Sequence, residues 1–157
     1  MLRGSREERV EEMLSLKEAE WNLGTLLYLY LGLLDHSEDV RLAALDALMG
    51  IAERSPEPFT VSPIPILAGC IFSVTVSSGY TPYIFEFLVQ LGTSEAAQTV
   101  EKLMREPCRN DDFRYFVDVL IREGQLDLLR RLEKEKLSKT KAKLLRDALN
   151  RIEHEPR

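Results

Sequence analysis

Ten residues recur at an offset of 32. Tyr83 to Gly92 (YIFEFLVQLG) lies over Tyr115 to Gly124 (YFVDVLIREG). Both stretches place apolar residues three and four apart and end on a glycine, the pattern of a helix stopped by a turn. Beyond the glycines, Val100-Glu101-Lys102 lies over Leu132-Glu133-Lys134, so each copy reads helix, glycine turn, helix. A hairpin of this size has too little apolar surface to fold alone. Such units must stack and bury their shared faces.

The rest of the chain fits that constraint. Ser5-x-x-Glu8 and Ser15-x-x-Glu18 resemble helix capping boxes, with Val10, Met13 and Leu14 at helical spacing after the first. Trp21 to Leu34 is apolar on nearly all sides, which predicts a helix covered on more than one face. Ser37 opens the next helix, with Glu38 and Asp39 in its first turn. Val40, Ala44, Ala47, Leu48 and Ile51 form one apolar stripe of that helix, and Leu42, Leu45 and Met49 a second.

Residues 55–65 hold Pro56, Pro58, Pro63 and Pro65, and no helix is expected through them. This connection is the expected joint between an N-terminal and a C-terminal set of hairpins within one domain, 1–157. Residues 66–78 are rich in β-branched side chains, which a strand would tolerate. Their helical neighbours favour a buried helix. Helices are then expected over 82–91, 94–105, about 113–123, 126–136 and from Ser138 onward, eight or nine in all.

A second echo pairs Asp46-Ala47-Leu48 and Ile51 with Asp147-Ala148-Leu149 and Ile152. The segment from Asp35 to Ile51 also places Val40-Arg41, Ala44, Ala47-Leu48 and Ile51 at fixed intervals after the aspartate. It resembles the second half of a HEAT repeat, within the wider HEAT and armadillo class. The match covers 17 of 157 residues, and the other hairpins lack the Asp and Arg signature. The resemblance implies an all-α fold, a right-handed α-α superhelix of about four stacked hairpins. It also implies that Asp35 and Arg41 belong to a polar ladder between neighbouring units.

The chain has no phosphate-binding glycine loop, nucleophile elbow or zinc-protease motif. No catalytic set, cofactor site or metal site is assigned, and Asn110-Asp111-Asp112 is read as a helix start. Cys70 and Cys108 read as free thiols, as in a reducing compartment. The N-terminus has no apolar run behind its positive charges, so a cytoplasmic location is expected. The uncharged stretch from Pro58 to Phe85 is too interrupted by Pro, Ser, Thr and Gly for the roughly 18–20 apolar residues of a membrane span. Abundant Arg and Glu, with few Cys and His, also suit the ion-pair-rich surface of a thermophile.

Charge is unevenly placed. The net charge is −5, yet the first 60 residues carry 6 basic and 12 acidic side chains, and residues 101–157 carry 15 and 12. Arg130, Arg131, Lys134, Lys136, Lys139, Lys141, Lys143 and Arg146 cluster against only Glu133 and Glu135. Lys139, Lys141 and Lys143 fall where a helix begins and its dipole disfavours cations. Two readings fit: the solvated face of a terminal hairpin, or a basic patch for an anion or acidic partner. The function expected is a non-enzymatic protein-docking or scaffold module. The alternative is nucleic-acid or other polyanion binding through 130–146, which the acidic N-terminal half opposes. Unlike charge at the two ends also permits self-association.

Overall fold

A computed structural model describes residues 2–54, 62–71 and 80–154. All the regular structure in these residues is helical, so the chain is all-α. The helices are α1 (Arg6–Ser15), α2 (Leu23–Leu33), α3 (Glu38–Arg54), α4 (Ile64–Ile71), α5 (Thr81–Leu91), α6 (Ser94–Arg105), α7 (Asn110–Arg122), α8 (Leu126–Glu133) and α9 (Lys139–His154). They fall into two compact units, Met1–Tyr80 and Thr81–Arg157. The division lies after Tyr80, downstream of the proline-rich connection, of which 55–61 lies outside the described residues.

Local chemistry explains several helix ends. The Ser5 hydroxyl oxygen accepts the Glu8 amide at 3.1 Å at the start of α1. Thr93 accepts the Ala96 amide at 3.3 Å before α6. Gly92 and Gly124 close α5 and α7 with φ of 66° and 76°, the left-handed region where a side chain is strained. The second capping box does not form. Ser15 donates its hydroxyl to the Glu12 carbonyl at 2.7 Å, and a 3₁₀ turn over Leu16–Glu18 follows. Helix α4 starts at the end of the proline-rich connection, at Ile64, and takes in Pro65. The proline occupies the first turn, where an amide has no intrahelical acceptor and its absence costs little. Of the helix expected over 66–78, residues 66–71 are helical and 72–78 lie outside the described residues.

In the N-terminal unit α3 is central. It packs against α1, α2, the 3₁₀ turn and α4. Val40, Ala43, Ala44, Leu45, Ala47, Leu48, Gly50, Ile51 and Ala52 are all buried, and the small residues among them let neighbouring helices approach closely. The tightest approach is at Gly32 of α2. A Cβ there would stand 2.8 Å from Ala44 Cβ and would overlap the Met13 sulfur. Helices α1, α2 and α3 therefore meet where one hydrogen is all the space allows. At the far end of α3, Arg54 Nε donates to the Lys17 carbonyl at 2.8 Å and ties down the 3₁₀ turn.

In the C-terminal unit α7 packs against α5, α8 and α9. Phe113, Phe116, Val117, Val119 and Leu120 are its buried residues. Phe116 stacks on Phe85 of α5 with ring centroids 4.0 Å apart. Burial is matched across the 32-residue offset. Ile84, Phe85 and Leu88 are buried, and so are Phe116, Val117 and Leu120.

Gly32→Ala is expected to destabilise the N-terminal unit by about 1–3 kcal/mol through overpacking. Gly69→Ala, exposed in α4 with open space at its Cβ position, is expected to add about 0.5–1 kcal/mol. Urea unfolding of the two variants beside the parent chain checks both signs.

Candidate functional site

Asp35 lies within the turn between α2 and α3, and its side chain is only 5% exposed. A carboxylate so placed needs a cation and hydrogen bonds to remain charged. Arg9 of α1 supplies both. Its Nε donates to Asp35 Oδ2 at 3.0 Å and its Nη2 to Oδ1 at 3.3 Å. The Ser37 amide donates to Oδ1 at 2.9 Å. Burial alone would push the Asp35 carboxyl up. The Ser37 amide and the Arg9 guanidinium more than offset it and hold the group below the ordinary aspartate range.

Arg41, matched to Asp35 by the sequence motif, does reach it, but at the backbone. Its Nη1 donates to the Asp35 carbonyl at 2.8 Å. Arg9 is thus the carboxylate's partner, and the motif reading missed it. The signal was present: Arg9 lies four residues before Met13, so both fall on the buried face of α1.

Helix α2 differs from expectation in one respect. One face is buried through Leu29, Gly32 and Leu33. The other is not covered. Leu23 is 59% exposed, Leu27 57%, Tyr30 50% and Leu34 51%, with Leu31 beside them. Leu23, Leu27, Tyr30 and Leu34 are spaced four, three and four apart, which aligns them along one edge of the helix. This is the seam spacing by which helices pair. Trp21, just before α2, is half-buried.

The basic residues of 130–146 are dispersed over different settings. Arg130 and Arg131 lie in the last turn of α8, where its dipole favours cations. Arg131 stands 3.5 Å from Glu101, which also pairs with Arg105 at 3.0 Å, and Arg105 pairs with Glu135 at 2.7 Å. Lys141 is half-buried with its ammonium 5.5 Å from the Phe113 ring centre, a cation–π geometry. It also lies beside Cys108, whose thiol burial pushes up while Lys141 opposes the shift. Arg130, Lys134, Lys136, Lys139, Lys143 and Arg146 are exposed. Within α9, Lys139, Lys143 and Arg146 point away from the buried Leu145, Ala148 and Leu149. The Ser138 hydroxyl oxygen accepts the Lys141 amide at 3.3 Å, so one amide at this helix start is occupied.

Asp111 and Asp112 lie in the first turn of α7. Among the described residues no group of three or more His, Cys, Asp or Glu side chains is placed to hold a metal ion. Cys70 is buried and Cys108 half-buried, both as free thiols, and burial pushes the Cys70 thiol up to about 11. Among the described residues no helix is long and apolar enough to cross a membrane. No family model matches the chain, and neither the curated proteins nor the solved structures compared with it give a match.

Arg9→Met is expected to cost about 3–5 kcal/mol, because it leaves a buried carboxylate without its cation. The folded-state pKa of Asp35 is depressed. Its stabilisation is therefore complete above the unfolded value of about 3.9 and is lost as pH falls through the folded value. Asp35→Asn should flatten the loss of stability below about pH 4, read from urea midpoints at successive pH values.

Proposed function

We propose that this chain is a non-enzymatic protein-docking module built from stacked helical hairpins in the HEAT-like manner. The observation that carries the docking reading is the uncovered edge of α2. Four large apolar side chains in line, each at least half exposed, form a patch that water disfavours and a partner can cover. Their rigid support suits such a role, since Gly32 and Leu33 on the opposite face are locked against the unit's core. The hairpin-stack reading is supported by the two helix–glycine–helix units with matched burial and by Asp35 and Arg41 meeting in the α2–α3 turn. A cytoplasmic setting, free of disulfides, belongs to the same reading.

A second reading, polyanion binding, has one observation in its favour. Lys139, Lys143 and Arg146 share the solvent side of α9, with Lys134 and Lys136 exposed just before it. Binding of that kind falls steeply with salt.

The test is affinity capture from native lysate at low and high salt, using the parent chain and Leu27→Glu, with protein and nucleic acid both assayed in the eluate. A stoichiometric protein that survives high salt and disappears with Leu27→Glu is expected. Retention of nucleic acid at low salt alone, unaffected by Leu27→Glu and lost with Lys139→Glu and Lys143→Glu, would favour the second reading and overturn the first.

A further inference from the structure

Helices α1 and α3 leave an open trough between them on the N-terminal unit, with a volume of about 730 Å³. Its floor is apolar: Val10 and Leu14 from α1, Leu42 and Ala43 from α3. Leu14 is 43% exposed and Leu42 46%, so the floor faces solvent. Its edges are acidic, with Glu7 and Glu11 one helical turn apart on α1, and Asp39 and Asp46 two turns apart on α3. Arg6 closes one end, pairing with Glu7 at 3.1 Å and Asp39 at 3.4 Å, while Lys17 stands 3.7 Å from Asp46. Four carboxylates thus flank an apolar floor with two cations against them.

We propose that this trough receives an amphipathic helix of a partner protein, with aliphatic residues on its inner face and Lys or Arg along both flanks. Two packed helices present a groove into which a third settles through side chains at i, i+3 or i+4, and i+7. Leucines there would cover Leu14 and Leu42. Lysine and arginine on the flanks would lay their methylene stems on the apolar floor and carry their charges to Glu7, Glu11, Asp39 and Asp46. Among the described residues, a second copy of this chain does not supply such a helix. Its most basic helix, α9, already buries Leu145, Ala148 and Leu149 within its own unit, and the exposed residues of α9 are all polar. The proposal rests on the reading of the chain as a protein-docking module, but on a surface separate from the edge of α2.

The experiment uses the full chain and two labelled 18-residue helical peptides that share one leucine face, one flanked by lysines and the other by glutamates. Fluorescence anisotropy is expected to show saturable one-to-one binding of the lysine peptide, at least tenfold tighter than the glutamate peptide. Leu42→Ser and the pair Glu7→Gln with Glu11→Gln, all at exposed positions, should each weaken it at least fivefold. Leu27→Ser on α2 should leave it unchanged. Equal affinity for the two peptides, or undiminished binding to Leu42→Ser, would overturn the proposal. Loss with Leu27→Ser alone would overturn it too, while leaving the docking reading in place on α2. Lysate capture that fails while the lysine peptide still binds the trough would instead count against the α2 edge. Unfolding curves of each variant confirm that the fold is retained.

Discussion

The N-terminal unit depends on how closely its helices can approach α3. Alanines and glycine line that helix where neighbours cross it, and at Gly32 the gap to Met13 and Ala44 has no room for a methyl group. Close approach brings α1 near enough for Arg9 to reach Asp35 across the end of α2. The ion pair in turn sets the turn that starts α3, since the same carboxylate receives the Ser37 amide. Packing and electrostatics are thus coupled at one end of the unit. The uncovered surfaces, α2's outer edge and the trough, lie on helices whose inner faces are held by that junction.

Helix positions were legible because the chain writes them in strong local terms. Ser5, Gly92 and Gly124 act within a few residues of the bonds they make, so reading them requires no knowledge of the fold. The stripe from Phe113 to Leu120 is buried as its spacing implies. What escaped was decided either between helices or by a competing local bond. The partner of Asp35 lies 26 residues away, and no local motif names it. The second capping box failed because Ser15 found a carbonyl one turn back in α1.

The apolar run from Trp21 to Leu34 shows the limit most plainly. Its composition implied cover on several faces, yet composition cannot count how many neighbours a helix will have. One face is filled by the core and the other stays open. The basic stretch at 130–146 is the reverse case. Charge counting made one patch of eight residues. The structure gives Arg131 to Glu101 and Lys141 to the Phe113 ring, and leaves a narrower group on the outside of α9.

The charge-free helix α2 also has consequences while the protein is being made. It leaves the ribosome before α3, so neither of its faces has α3 to cover it until residues beyond Arg54 have been added. Completion of the unit hides only one of them. The remaining leucine edge is a standing hazard for self-adhesion at high concentration, and its sticky character persists for the lifetime of the folded chain. Expression yield and colloidal behaviour should therefore follow the occupancy of that edge more closely than the thermodynamic stability of the unit beneath it.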